Sequence, residues 1–270
     1  MLTLDQLLQK LWMDYSSMNQ QAGAIHRALE KRGEKVVNDH LAFRTLNLSK
    51  VGIDVLAEPF LKFGYKDASG KGYFFKEKKL FARHYEHSDS NQPKVFISEL
   101  LVEEFSPTLQ KTVKDMIDQV PDKLTQTEDF LISGFAWKPV SWQVYQDLLK
   151  ESEYAAWVAA FGFRVNHFTV SYNALTSFKD FPDLNGFVKG AGFSLNAAGG
   201  EIKGSKDVYL EQSSTLAHPV EVQFSDRKAV IPACYYEFAR RYPMPNGKLF
   251  QAFLPDSADK IFESTNFRTI

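Results

Sequence analysis

The order of secondary-structure signals runs through this chain twice, and each pass opens on a strand that carries a histidine. The first strand reads "NDHLAFRT" (Asn38 to Thr45) and the second "VNHFTVSY" (Val165 to Tyr172). After the first come an amphipathic helix from about Val51 to Phe63 and the strands within "GYFFKEKKLFARHYEH" and "KVFISELLVEEF". After the second come a glycine-broken helix within "FKDFPDLNGFVKGAG" and strands at "DVYLEQSSTLA", "HPVEVQFS" and "ACYYEFARRY". A repeated βαβββ order narrows the fold sharply, because a unit with one apolar sheet face must bury that face against a neighbour. The spacing predicts N-terminal helices over 1–35, a first βαβββ module over 36–106, a helical linker over 107–162, a second module over 163–245 and a C-terminal tail over 246–270. The fold class expected is α+β, one domain in which two modules form a cupped mixed sheet.

Composition excludes several functions. With 32 Lys+Arg against 33 Asp+Glu the formal net charge is −1, so no global field gathers nucleic acid or anionic lipid. The single cysteine, Cys234, rules out an intrachain disulfide framework and a Cys-rich zinc site, and is expected to pack rather than react. The opening "MLTLDQLLQKLWMDY" lacks the apolar core of a signal peptide, and no later window approaches a membrane span. A cytoplasmic protein is expected, of an oligomeric state that nothing in the sequence fixes.

A strand histidine is ordinarily structural, donating to a carbonyl. A carboxylate inside an apolar central strand is harder to dismiss, since burying it unpaired costs on the order of several kcal/mol. The last strand of each pass holds one: Glu99 in "VFISELL" and Glu237 in "CYYEFAR". Arg241 shares the period-two face of Glu237 but lies about 13 Å along the strand, too far for direct pairing. If the two passes pack about a pseudo-twofold axis, their first strands become neighbours and His40, His167 and Glu237 converge in the cup. Two imidazoles and a carboxylate with open positions suit non-haem Fe(II), and equally Zn²⁺, Mn²⁺ or Co²⁺. Glu99 stands as a fourth ligand or a structural group. Arg44, four residues beyond His40 with Ala42 between, is placed either to grip a substrate carboxylate or to pair with Glu99. Tyr235 and Arg241 face the same way as Glu237 and are further substrate-binding candidates. Phe43, Phe168, Tyr235 or Tyr236 would line the cup, depending on which strand face turns inward. His26, His84, His87 and His218 are expected to be exposed, although His84 could approach the cup if its strand lines it.

The segments "DHLAFRT", "VNHFT", "LEQSS" and "YYEFARR" together resemble the 2-oxoadipate dioxygenase/decarboxylase (hydroxyglutarate synthase) family of the vicinal-oxygen-chelate superfamily, over about residues 36 to 242. The resemblance implies Fe(II) on His40, His167 and Glu237, with Glu221 of "HPVEVQF" the ligand in an alternative register. It implies a carboxylate contact for Arg44 and a cup-lining place for Gln212. The reaction implied takes 2-oxoadipate and O₂ to 2-hydroxyglutarate and CO₂, a step of lysine degradation. Better-known members run further at the C-terminus, which bears on the length of keto acid accepted. The same cup with Zn²⁺ or Ni²⁺ would instead suit a metal-dependent hydrolase or a glyoxalase-like lyase or isomerase, and without a metal a small-ligand binding module.

Overall fold

The computed structural model describes residues 2–265; Met1 and residues 266–270 of the expected tail lie outside the described residues. The chain opens with α1 (Leu4–Met18) and α2 (Gln20–Lys31). Thr3 and Gln6 start α1 with a reciprocal capping box, each side chain satisfying the other's backbone N–H. The first pass follows as β1 (Asn38–Leu46), α3 (Ile53–Lys62), β2 (Lys66–Asp67), β3 (Tyr73–Phe75), β4 (Leu80–Glu86) and β5 (Lys94–Leu100). Next come α4 (Pro107–Ile117), α5 (Trp142–Glu151) and α6 (Glu153–Phe161). The second pass is β6 (Val165–Ser171), α7 (Phe181–Gly190), β7 (Lys203–Ser205), β8 (Leu210–Ser214), β9 (Pro219–Gln223), β10 (Lys228–Pro232) and β11 (Tyr235–Arg241), and α8 (Pro255–Phe262) completes the order.

One nine-stranded mixed sheet runs β2-β4-β5-β1-β6-β11-β8-β7, with β3 paired to β4 off that path. The fold is α+β and its sheet is cupped around the β1–β6 seam. These strands are antiparallel, with His40 opposite Thr169 and Ala42 opposite His167. A twofold carrying His40 onto His167 also carries Ala42 onto Thr169, so it exchanges the two pairs. Outward from the seam, β5 lies parallel to β1 and β11 parallel to β6.

One expected strand does not join this sheet. "HPVEVQFS" supplies β9, which pairs with β10 in a separate hairpin. The place next to β8 goes to β7, three residues of "KGS" that are too few and too polar to signal a strand by pattern.

The seam strands bury both faces. On the outer face Phe168 meets Trp12 and Tyr15 of α1, with ring centroids 5.2 and 5.1 Å away, and Phe43 meets Phe60 of α3 at 5.8 Å. Helix α6, "EYAAWVAAF", is apolar on every side and therefore needs cover on every side. It lies in the cup, where Tyr154 Oη donates to the Ser98 carbonyl (2.6 Å) and Trp157 Nε1 to that of Ala233 (2.5 Å). The turn from α6 into β6 passes through Gly162 at φ +71°, where an added Cβ would lie 2.0 Å from the Gly134 carbonyl oxygen. Among the described residues no helix is long and apolar enough to cross a membrane.

Candidate metal centre

Strand parity turns His40, Ala42 and Arg44 of β1, His167 and Thr169 of β6, and Tyr235 and Glu237 of β11 into the cup; Phe43, Phe168 and Tyr236 face outward. His40, His167 and Glu237 are all buried, and one donor atom from each lies within 4.8 Å of the other two. Metal–ligand bonds of about 2.0–2.2 Å set donor atoms on the order of 3–4 Å apart, so this spacing fits one ion.

The hydrogen bonds assign the tautomers. His40 Nδ1 is 2.7 Å from Asp39 Oδ1 and His167 Nδ1 is 3.1 Å from Asn166 Oδ1, so each Nδ1–H donates outward to an acceptor. Both Nε2 lone pairs then face Glu237, at 3.5 Å to Oε1 from His40 and 3.4 Å to Oε2 from His167. Thr169 Oγ1 lies 3.0 Å from His40 Nε2 and donates to it. Gln212 Nε2 donates to Glu237 Oε1 at 2.7 Å. No lysine or arginine among the described residues pairs with Glu237. Burial pushes its carboxyl up to about 8 despite the Gln212 hydrogen bond. Burial also lowers both imidazoles, His167 strongly, with the neighbouring His40 and Arg44 adding to the effect there. A buried acid that needs a cation, facing two neutral imidazole lone pairs, is a donor set suited to a divalent metal.

Arg44 is buried beside this centre. Its Nη2 donates to Thr265 Oγ1 (2.9 Å), its Nη1 is 3.5 Å from Glu153 Oε1, and its guanidinium lies over the Tyr154 and Trp157 rings, 5.1 Å from each centroid. Its Nε and Nη1 have no hydrogen-bond partner, and neither has the buried Tyr235 hydroxyl. Tyr235 stacks on His167 at 4.6 Å and 22°.

Other sequence candidates fall elsewhere. Glu99 is not the counterpart of Glu237 and faces the outer side, where it accepts from Ile53 N (3.0 Å) at the start of α3. It is therefore neither a fourth ligand nor the partner of Arg44. Glu221 sits on the β9–β10 hairpin, exposed and paired with Lys228 at 2.8 Å. Arg241 is not free to bind substrate: it grips Asp39 through Nε and Nη2 at 2.7 and 2.9 Å, and its Nη1 donates to the carbonyls of Phe250 and Ala252. None of the four remaining histidines is exposed. His26, His87 and His218 are half-buried, and His84 is buried between Tyr73 Oη (2.9 Å) and Glu86 Oε1 (3.0 Å).

Sequence reasoning missed Asp39, Asn166, Thr169 and the tail. The one available signal was the polar residue before each histidine, Asp39 and Asn166. The tail folds over the cup, with Phe253 edge-on to His40 at 4.9 Å and Ile261 and Phe262 closing the space above the ligands. That space is about 20 Å³. Phe262 also walls a separate cavity of about 450 Å³ lined by Arg44, Lys78, Lys79, Glu153 and Tyr154.

Comparison with known proteins agrees with this geometry. The sequence profile of the 2-oxoadipate dioxygenase/decarboxylase family matches residues 4–250. The chloroplastic 2-oxoadipate dioxygenase/decarboxylase of Arabidopsis thaliana is 34% identical over 258 residues, covering 86% of this chain and 69% of the relative. The crystal structure of hydroxyglutarate synthase from Oryza sativa in complex with 2-oxoadipate is 34% identical with a TM-score of 0.89, covering 97% of this chain and 91% of that one. A hydrolase candidate from Shewanella frigidimarina is 52% identical, again with a TM-score of 0.89, covering 93% and 97%. The profile match and these identities agree with the cupped sheet, and the chain belongs to the 2-oxoadipate dioxygenase/decarboxylase family.

Proposed function

We propose that this protein is an Fe(II)-dependent dioxygenase/decarboxylase that converts 2-oxoadipate and O₂ to 2-hydroxyglutarate and CO₂. The observation that carries the proposal is the meeting of His40, His167 and Glu237 at one buried point beside a buried arginine whose Nε and Nη1 have no hydrogen-bond partner. Fe(II), when bound there, supplies the redox chemistry with O₂ and a Lewis-acid anchor for a 2-oxo acid.

The chain's own residues do the remaining work. Gln212 holds one oxygen of Glu237 and so orients the carboxylate. Arg44, whose Nε and Nη1 have no hydrogen-bond partner, holds a substrate carboxylate through a charge-assisted contact. Burial lifts the Tyr235 hydroxyl well above the ordinary phenol range, so it stays protonated and can donate to a substrate oxygen. Phe96, Phe253, Ile261 and Phe262 keep water from the reacting atoms. A six-carbon diacid needs far more room than these 20 Å³. Phe262 stands between the ligands and the larger cavity in which Arg44 lies, so its displacement on binding would join the two spaces.

The test is anaerobic reconstitution with Fe(II), followed by measurement of O₂ uptake and CO₂ release over 2-oxo diacids of several lengths. Equimolar uptake and release with 2-oxoadipate are expected, and His167→Ala should remove both. Turnover of substrate without O₂ uptake would assign the hydrolase or lyase chemistry instead. Ligand affinity unchanged by a chelator, with no turnover, would assign a binding module.

A further inference from the structure

In a regular strand the residue before an inward-facing side chain points to the opposite face of the sheet. Asp39 and Asn166 break that rule, and the register across the β1–β6 seam says how. Between the pairs Asn38–Val170 and His40–Thr169, β1 holds one extra residue, Asp39. Between the pairs Ala42–His167 and Phe43–Val165, β6 holds one extra residue, Asn166. Each is a β-bulge of a kind that re-aims a side chain, and the pseudo-twofold exchanges them. Each bulge delivers the preceding side chain onto the Nδ1 of its histidine.

The two bulges differ in charge and in anchorage. Asp39 accepts from His40 at 2.7 Å and is clamped by two N–H groups of Arg241, whose third nitrogen is tied to two carbonyls of the tail. Asn166 accepts from His167 at 3.1 Å, and its own Nδ2 is buried without a partner. A carboxylate on Nδ1 makes an imidazole a stronger ligand than an amide does, and a clamped carboxylate fixes the ring before the metal arrives.

We infer that Asp39, clamped by Arg241, is a positioning residue that sets how tightly the centre holds its metal, and that it acts through His40. Asn166 orients His167 without that reinforcement, so the two imidazoles are unequal ligands. The inference rests on the three-residue metal centre and is independent of which substrate the centre serves.

The experiment is titration of the metal-free protein with Co(II), following the visible d–d absorption, with a competing chelator to fix the affinity. Asp39→Asn should weaken binding by about 10–100-fold and move the absorption band, with near-UV circular dichroism unchanged. Arg241→Lys keeps a cation but loses the bidentate grip, so it should give a smaller loss in the same direction; it carries the test if Asp39→Asn does not fold. Asn166→Ala should cost less than Asp39→Asn. The inference is overturned if Arg241→Lys and Asp39→Asn both keep the parent affinity and spectrum, or if Asn166→Ala costs as much as Asp39→Asn. A parent protein that takes up no Co(II) would sink the metal centre as well, whereas one that binds Co(II) yet leaves 2-oxoadipate untouched would remove only the proposed substrate.

Discussion

Glu237 is where burial and ligation pull against each other. Below about pH 8 its carboxyl holds a proton in the metal-free protein, yet a metal needs the carboxylate. Metal uptake must therefore release that proton, and affinity should rise by about tenfold per pH unit between pH 6 and 8. Burial lowers both imidazoles, so they contribute less to this slope than free histidines would. Competition titrations at pH 6, 7 and 8 check this, and a flat profile would show the carboxyl already ionised. Arg44→Lys should raise the KM for a 2-oxo diacid by roughly 10–100-fold, since a compact ammonium cannot reproduce the placement of the guanidinium N–H groups. Metal affinity should be unmoved, because Arg44 touches none of the three ligands. The ligands themselves were legible because ionisable side chains in apolar strands are costly and few. Glu99 misled because choosing between carboxylates takes register. His40 stands opposite Lys94 as His167 stands opposite Tyr235, so the counterpart of Glu237 is Phe96. Glu99 lies three residues further on, an odd step that turns it to the other face.

The central strands were readable as elements because both of their faces are buried and their side chains favour extended backbone. The edges were not. β9 has an alternating pattern as good as that of any sheet strand, and only tertiary contacts decide that it pairs with β10. β7 owes its existence to β8 beside it rather than to its own three residues. Backbone geometry is equally silent in sequence, and Gly162 is the sharpest case. Gly162→Ala forces on alanine a backbone (φ +71°, ψ −142°) that glycine alone adopts readily, which costs about 1–3 kcal/mol, and drives its methyl into the Gly134 carbonyl. The combined loss should be at least about 2 kcal/mol, seen as a lower urea midpoint with unchanged slope. An unchanged midpoint would show that the α6–β6 turn relaxes freely.

For the molecule as a whole, the repeat was visible but the bulged seam that makes it useful was not, since bulges are set by pairing between strands more than 120 residues apart. One ligand comes from the first pass and two from the second, so a bound ion ties the halves together across that seam. This gives stability a pH signature. Between about pH 6.5 and 8 the native metal-free protein holds a proton on Glu237 that the unfolded chain has already lost, so stability falls as pH rises through that window. The net loss amounts to about 1 kcal/mol, or roughly 2–4 °C in Tm for a chain of this size. Below about 6.5 the two buried histidines, both lowered in the native protein, work in the opposite direction and offset this trend. With a divalent ion in place Glu237 is ionised in the native state too, and the fall above pH 6.5 should vanish. Scanning calorimetry at pH 6.5 and 8, with chelator and with added metal, should find the larger metal-induced gain in Tm at pH 8. An equal gain at both values would mean that ligation displaces no proton, and that the acid buried at the seam is charged before any ion reaches it.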